Sequence, residues 1–214
     1  MKLYTFFRSS ASYRVRIALN LKGLEYEQIP IHLRRGGGEQ LSAEYKAINP
    51  HGLVPTLEDE GNRLTQSLAI IEYLEERYPN PPLLPSDPAD RATVRALALA
   101  IACEIHPIQN LRVLRHLRSE YQLGEEEVNR WARYWIELGF SALEQQIQSL
   151  PRRGQFCFGD TVSLADVCLI PQLANAKRFG CDLSAYPTLT GIEVRCAALP
   201  AFAKAAPEAQ PDAE

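Results

Sequence analysis

The sequence has 214 residues, 46% of them hydrophobic and 23% charged, with a formal net charge of −3. This composition is ordinary for a soluble globular protein and provides enough chain for two modest domains. It contains no sustained Lys/Arg run, which speaks against a nucleic-acid or polybasic membrane surface. No apolar stretch approaches the roughly 20 residues that span a bilayer, and the first residues lack signal-peptide features. We therefore expect a cytoplasmic protein with no nucleic-acid or membrane partner.

The cysteines support the same compartment. They are odd in number, scattered, and never spaced Cys-x-x-Cys. This usage favours reduced thiols and argues against both a disulfide framework and a metal site. The five residues, each expected to be a small core side chain, are Cys103, Cys157, Cys168, Cys181 and Cys196.

Strands and helices alternate in the first 80 residues. The predicted elements are a strand at 2–7, a helix at 10–22 that stops at Gly23, a strand at 26–31, a loop at 34–39, short strands near 55–58 and 63–64, and a helix from 67 to about 78. A βαβ unit followed by ββα is typical of a thioredoxin-like domain. We predict such an α/β domain over residues 1–80.

The remainder of the chain reads as helical. Prolines from Pro79 onward predict a linker, and no later segment has a strand pattern. Apolar spacing predicts helices at 92–105, around 131–142 and at 164–179. Ser163 and Asp166 form a capping-box pattern at the start of the last of these. We therefore predict an all-helical second domain over residues 88–214.

The most informative local feature is the break between the first strand and the first helix. Ser9 and Ser10 stand at the predicted helix N-terminus, and Arg8 precedes them. Free N–H groups, hydroxyls and the helix dipole favour an anion there, and such a setting also stabilises a thiolate. Because the loop has no cysteine, that thiolate has to belong to a ligand. The alternative is that Ser9 is simply a helix N-cap.

Two further loops show related chemistry. Val54 precedes Pro55, which favours extended backbone and allows a cis bond. Gln66 and Ser67 open the next predicted helix, a second N-terminus suited to an anion. Together these loops suit a small peptide that carries carboxylates, although each signal alone is weak.

Several of these segments also resemble a known family. The runs from Ser9 to Leu19, from Asn49 to Leu57 and from Gln66 to Glu76 are similar to the zeta-class glutathione transferases, which include maleylacetoacetate and maleylpyruvate isomerases. Further similarity lies at His106–Leu114, Gly159–Asp166, Arg178–Phe179 and Pro207–Pro211. The resemblance covers nearly the whole chain. It implies the glutathione transferase fold, glutathione as cofactor and a homodimer.

The resemblance also implies roles for individual residues. Those expected to bind glutathione are Ser9, Ser10, Gln40, Val54, Pro55, Gln66, Ser67, His106 and Asn110. Those expected to bind the carboxylates of a small dicarboxylic ene-dione substrate are Arg8, Arg112 and Arg178. Ser9, Ser10, Arg8 and Arg178 are the expected catalytic residues. For His106 a packed core histidine remains an equal alternative.

The implied reaction is a glutathione-dependent cis–trans isomerisation. The thiolate adds to the cis double bond, charge moves into an enediolate, the bond rotates, and the thiolate leaves a trans alkene. Two departures bear on rate and selectivity: Ala11 stands where the family usually has cysteine, and Tyr13 where it often has tryptophan or histidine.

The substrate of the isomerisation is either maleylacetoacetate, from tyrosine and phenylalanine breakdown, or maleylpyruvate, from gentisate breakdown. Two functions other than isomerisation also stay open. A transferase that conjugates or dehalogenates small electrophiles would use the same thiolate without the arginine cluster. A non-catalytic binding or scaffold protein would have a degraded thiol site, which this sequence does not have.

Overall fold

The computed structural model describes residues 1–214, and the contacts divide them into two compact units. The first unit contains Met1–Pro82 and Ala197–Glu214, and the second contains Leu83–Cys196. This division differs from the predicted domains 1–80 and 88–214, because the last eighteen residues pack with the first unit. No helix combines the length and the apolar character that crossing a membrane requires.

The first unit is built on a four-stranded mixed sheet of order β2-β1-β3-β4. Strand β1 pairs in parallel with β2 and antiparallel with β3, which in turn pairs antiparallel with β4. Its strands are Lys2–Thr5 (β1), Glu27–Pro30 (β2), Thr56–Asp59 (β3) and Asn62–Thr65 (β4), and its helices are Ser10–Leu21 (α1), Ala43–Ile48 (α2), Ser67–Arg77 (α3) and Pro200–Ala205 (α9). This arrangement confirms the predicted thioredoxin-like fold.

Local sequence explains how these elements begin and end. Helix α1 ends where predicted, since Gly23 adopts a left-handed φ of 66° after the last turn. A two-residue turn of Glu60 and Gly61, both with positive φ, joins β3 to β4. Leu3 of β1 pairs with Leu57 of β3, and both are fully buried in the core.

The second unit is all-helical, as predicted. Its helices are Pro88–Leu99 (α4), Leu111–Glu120 (α5), Glu125–Ser149 (α6), Leu164–Phe179 (α7) and Pro187–Ala197 (α8), whose last residue begins the returning segment. Helix α4 continues into a π-helical turn over Ala100–Ile105 and a 3₁₀ turn over Pro107–Gln109. Helices α2, α5, α8 and α9 go beyond the predicted elements.

Helix α4 starts four residues before the predicted Ala92. The Asp87 carboxylate accepts hydrogen bonds from the N–H groups of Ala89 and Asp90, both at 3.0 Å, and Pro88 occupies the first helical position. Proline at that position favours a helix start, because its missing N–H would lack a partner there anyway. The proline that the sequence pattern assigns to a linker therefore opens the helix.

The cysteines are all free, but they do not share one environment. Cys157, Cys168 and Cys196 are buried as predicted, and Cys181 is half-buried. Cys103 is exposed on the π-helical turn, so the prediction that it is a core residue was wrong. A residue on the outer face of a helical segment has no neighbour to bury it.

The predicted capping box at the start of α7 is confirmed. The buried Asp166 carboxylate accepts hydrogen bonds from Ser163 N and Ser163 Oγ, and from Cys157 N, each at 2.8 Å. Burial raises the pKa of Asp166, although these hydrogen bonds oppose the shift. Asp166 thus joins the preceding loop to the helix.

Replacing Asp166 with alanine should cost about 3 kcal/mol of unfolding free energy, because it strands two buried N–H donors. The exposed helix cap Asp87 is the matched control, and Asp87→Ala should cost about 1 kcal/mol. Urea unfolding of both variants measures the difference. Equal losses would contradict the structural role assigned to the buried carboxylate.

Candidate active site

Ser9 is the N-cap of α1. Its Oγ accepts a hydrogen bond from Ser12 N at 3.2 Å, and its backbone is extended (φ −70°, ψ 115°). This confirms the capping alternative, but it does not exclude a ligand. A serine oxygen that accepts from the helix still has its own O–H to donate. The half-buried Ser9 hydroxyl can therefore cap α1 and donate to an anion at the same time.

The neighbours of Ser9 have different environments. Ser10 is buried at the first position of α1, and Arg8 is exposed with its guanidinium 5.1 Å from the centre of the Phe7 ring. Tyr13 is buried, and its ring lies 5.4 Å from the guanidinium carbon of Arg16. The departure from the family at Tyr13 thus falls in the core, whereas Ala11 is half-buried in the first turn of α1.

An apolar cluster brings the Ser9 loop next to Val54. Phe6 and Phe7, which follow β1, pack with Tyr45 of α2 and with Val54. Two side chains bind the carbonyl of Leu53, the residue before Val54. Tyr45 Oη donates to Leu53 O at 2.7 Å, and Asn49 Nδ2 donates to the same oxygen at 2.8 Å. The Val54–Pro55 peptide bond is cis. Nothing in the sequence indicated that Tyr45 binds the backbone of this loop. Asn49, by contrast, lies in one of the segments that resemble the family.

Ser67 begins α3, as predicted, and faces a buried cation. Arg14 of α1 donates from Nη1 to Ser67 Oγ at 3.3 Å. Both residues are buried, with exposures of 2% for Arg14 and 7% for Ser67, whereas Gln66 is exposed in a left-handed conformation (φ 68°). A helix N-terminus, a hydroxyl and a guanidinium converge here, a combination that suits a carboxylate. The part played by Arg14 is invisible in the sequence, where an arginine at a helical position reads as surface.

Gln40 is folded into its own loop. Its side chain is buried against Gly38, whose φ is 117°, and its Nε2 lies 3.5 Å from Leu33 O. A Cβ at Gly38 would lie 2.6 Å from Gln40 Oε1 and would displace this side chain, and the φ of 117° itself favours glycine. The structure thus places Gln40 near Leu33, whose side chain packs on the cluster around Val54, with the amide turned inward.

The second unit contributes a separate group of predicted residues. Asn110 caps α5 by accepting from Arg112 N at 3.2 Å, and its amide nitrogen lies 3.5 Å from His106 Nε2. His106 is half-buried after the π-helical turn, and Arg112 is exposed on α5. Gly139 of α6 permits this turn, because a Cβ there would lie 2.4 Å from Ile105 side-chain atoms.

A chain of buried amides leads to Arg178, at the end of α7. Gln109 Nε2 donates to Gln172 Oε1 at 3.2 Å, and Asn175 Nδ2 donates to Gln109 Oε1 at 2.5 Å. Arg178 donates from Nη2 to Asn175 Oδ1. Because the Asn175 nitrogen is used by Gln109, its oxygen is directed toward Arg178. An exposed guanidinium is thereby anchored to the core, which nothing in the sequence indicated.

The cysteines whose pKa is raised by burial offer no thiolate for the reaction. Burial raises the pKa of Cys157 and Cys196, and it raises that of Cys181 to about 11. No group of three or more His, Cys, Asp or Glu side chains is arranged to hold a metal ion. In the first unit, Ser9 and Ser67 each offer a hydroxyl at a helix N-terminus, and Val54 offers its backbone next to a cis proline. This set suits a thiol peptide with a carboxylate.

Comparison with known proteins identifies the family. Residues 3–82 match the model of the glutathione S-transferase N-terminal domain. The chain is 55% identical to a probable maleylacetoacetate isomerase of Vibrio cholerae (99% of this chain, 97% of the relative). It is 50% identical to a maleylpyruvate isomerase of a Ralstonia species, with 99% of both chains covered.

Solved structures extend the likeness. A holo structure of a zeta-class maleylpyruvate isomerase superposes with a TM-score of 0.98, at 48% identity over 100% of both chains. A maleylacetoacetate isomerase of Methylobacterium extorquens, solved with malonate and glutathione, gives a TM-score of 0.96 at 43% identity and full coverage of both. The maleylacetoacetate isomerase of Anaeromyxobacter dehalogenans was solved with dicarboxyethyl glutathione and citrate in its active site. It gives a TM-score of 0.87 at 43% identity, and the match covers 100% of this chain and 97% of that one.

These findings define the class of protein. The fold and the matched N-terminal domain are those of a glutathione transferase. Identities near 50% over almost the entire length show that the chain belongs to the zeta-class glutathione transferase family of maleylacetoacetate and maleylpyruvate isomerases.

Proposed function

We propose that this protein is a glutathione-dependent cis–trans isomerase that converts maleylacetoacetate to fumarylacetoacetate. The observation that supports the proposal is the pair of serines at two helix N-termini, Ser9 and Ser67, in a chain whose relatives are named isomerases over almost their full length. Glutathione acts as a coenzyme, because the reaction releases it unchanged.

Ser9 and the start of α1 prepare the nucleophile. The sulfur of bound glutathione lies where the free O–H of Ser9 can donate to it, at a helix N-terminus that favours negative charge. A free thiol has a pKa near 8.5, and such a setting lowers it to about 7 or below. Ser10 adds a second hydroxyl beside Ser9, and Ser67 with Gln66 holds the γ-glutamyl carboxylate.

The remaining steps follow from the electronics of the substrate. The thiolate adds to one carbon of the cis double bond, and the π electrons move into the adjacent carbonyl to give an enolate. The former double bond is now single and rotates. Return of the electrons expels the thiolate and forms the trans alkene, so that atoms and charge balance. Positive groups that face the developing enolate lower the barrier.

Arginines supply that charge. We assign the carboxylates of the substrate and the enolate oxygen to Arg8, Arg112 and Arg178, because a guanidinium binds a carboxylate with two parallel hydrogen bonds. The amide chain that ends at Asn175 supports this role for Arg178. Dicarboxyethyl glutathione in the active site of a relative is further support, since it is a glutathione sulfur joined to a dicarboxylate.

Maleylpyruvate is the second candidate substrate. A maleylpyruvate isomerase is the structure that superposes with a TM-score of 0.98. The two substrates share the ene-dione acid and differ in the chain beyond it, so one thiol site can serve both.

The test is to follow the ultraviolet loss of each substrate with and without glutathione, using a downstream hydrolase as coupling enzyme. We expect turnover of maleylacetoacetate that depends strictly on glutathione, and faster than that of maleylpyruvate. A faster reaction with maleylpyruvate would reassign the substrate. Tight glutathione binding without turnover of either would indicate a conjugating transferase instead.

Replacing Ser9 with alanine should raise the pKa of the bound glutathione thiol toward 8.5 and lower kcat about 100-fold at neutral pH. Below the raised pKa the sulfur is protonated and unreactive, so activity should recover as pH increases. The thiolate's ultraviolet absorbance measures the pKa directly.

The matched control is Ser42→Ala, because Ser42 caps α2 with the same 3.2 Å hydrogen bond, to Tyr45 N. Both variants should lose about 1 kcal/mol of stability from the lost cap. Only the Ser9 variant should change the thiol. An unchanged thiol pKa in Ser9→Ala would leave Ser9 with the capping role alone.

Replacing Arg178 with alanine should lower kcat/KM for the dicarboxylic substrate about 10- to 100-fold, the cost of one charge-assisted hydrogen-bonded contact. Glutathione affinity should stay within about twofold, since Arg178 is not assigned to that ligand. Lys177→Ala is the control, because the neighbouring Lys177 pairs with Glu193 at 2.7 Å. Equal kinetics for the two variants would remove Arg178 from the substrate site.

We also propose that the enzyme acts in the cytoplasm as a homodimer. The free cysteines support a reducing compartment. The homodimer is what the resemblance to the zeta-class family implies.

A further inference from the structure

The C-terminal segment from Ala197 to Glu214, called the tail below, packs on the first unit beside the thiol site. Helix α9 lies against α1, where Asn20 Nδ2 donates to Ala201 O at 3.0 Å. Farther along, Gln28 Nε2 donates to Gln210 Oε1 at 3.1 Å, and Gln210 Nε2 donates to Ala206 O at 2.7 Å. The tail is thus held at several points before it reaches Asp212.

Asp212 contacts the backbone that carries the thiol site. Its Oδ2 accepts a hydrogen bond from Phe7 N at 3.0 Å, and its Oδ1 is buried. Phe7 directly precedes Arg8 and Ser9. Ser9 N in turn donates to Phe6 O at 3.0 Å, so Phe6 to Ser9 form one closed turn. The carboxylate therefore holds this turn by its central N–H.

Arg16 holds the same turn from the other side. Its fully buried guanidinium donates to Phe6 O at 3.3 Å and Phe7 O at 3.0 Å, and to Ala205 O of the tail at 3.0 Å. Burial lowers the pKa of Arg16 to about 10, and the nearby Asp212 carboxylate opposes that shift. The N–H and the C=O of Phe7 are thus both satisfied by side chains, one from the tail and one from α1.

We propose that Asp212 is a positioning residue for the thiol site: by fixing the N–H of Phe7, it sets where Arg8 and the Ser9 hydroxyl stand. The inference rests on the proposed function, in which Ser9 binds the glutathione sulfur. Within this turn Ser9 N finds its acceptor at Phe6 O, whereas Phe7 N finds its acceptor in a carboxylate from the far end of the sequence. A displacement of about 1 Å at a reacting group is enough to slow catalysis strongly.

Asp212 can act on the thiol through its charge or by positioning the Phe7 turn, and the two roles change the thiol pKa in opposite directions. A carboxylate near the thiol disfavours a second negative charge, so removing its charge lowers the pKa of the thiol. Displacing the Phe7 turn has the opposite effect, because the thiolate loses its alignment with Ser9 and the start of α1. The thiol pKa therefore distinguishes positioning from charge.

The experiment compares Asp212→Asn with Asp212→Glu. The Asn variant keeps an acceptor for Phe7 N at the same reach but removes the charge. The Glu variant keeps the charge but moves the acceptor by one methylene. The control is Glu208→Gln, which removes one negative charge from an exposed side chain of the same tail. Each variant is assayed for kcat, for KM of glutathione, for the pKa of bound thiol and for thermal unfolding.

We expect Asp212→Glu to lower kcat about tenfold and to raise the pKa of bound thiol toward 8.5, with a KM for glutathione within about threefold. Asp212→Asn and Glu208→Gln should stay within about twofold of wild type in kcat. The reverse order, with Glu active and Asn impaired, would overturn positioning in favour of charge. Wild-type values in both Asp212 variants would overturn the inference as well.

Failure of the proposed function is distinguishable from failure of the inference about Asp212. The proposed function fails if the wild-type protein binds glutathione without lowering its thiol pKa, or does not isomerise either substrate. If the wild type binds glutathione as a thiolate but isomerises neither substrate, the thiol pKa of the two variants still decides the role of Asp212.

Discussion

Burial of the Arg16 guanidinium is the constraint on which the rest of the first unit depends. An arginine without exposure must place its N–H groups on acceptors, since an unsatisfied buried charge is very costly. Arg16 does so on Thr5 Oγ1 and on the carbonyls of Phe6, Phe7 and Ala205. One side chain thereby joins β1, the turn that carries the thiol site, and a helix from the end of the chain. The position of Ser9 follows from this arrangement.

In the proposed function, the chemistry of the site depends on one serine, Ser9, that caps a helix and binds the ligand at the same time. As an N-cap, the Ser9 oxygen accepts from the backbone of α1, which orients the hydroxyl and leaves its proton for a ligand. Ser67 is arranged in a comparable way, with Arg14 as donor to its oxygen. In both places the serine oxygen accepts a hydrogen bond inside the protein, and its own O–H remains able to donate. Structural and functional interpretations of these serines are therefore compatible, and the cap itself prepares the site.

The sequence predicted the sheet-and-helix order, the start of α7 and its cap, and the Ser9, Val54 and Ser67 loops. Each has a local cause: apolar period, capping chemistry, or a proline. It misplaced the start of α4, because Pro88 serves as a helix opener, and it assigned Cys103 to the core. It also left unseen the contacts of Arg14, Tyr45 and the amide chain to Arg178. The Arg14–Ser67 and Gln109–Gln172 contacts join residues 53 and 63 positions apart, and the Tyr45–Leu53 contact joins a helix to a loop 8 positions on. No local sequence pattern connects these partners.

The sequence by itself determined the fold class, the family and the cofactor, and it supplied the site residues that the proposed function uses. It could do so because these properties depend on short runs and their spacing. Only the tertiary structure decided that residues 197–214 pack with the first unit and that Asp212 and Arg16 hold the Phe7 turn. The physical reason is that buried hydrogen bonds must be satisfied wherever a partner can reach them, and the nearest partner in space is distant along the chain.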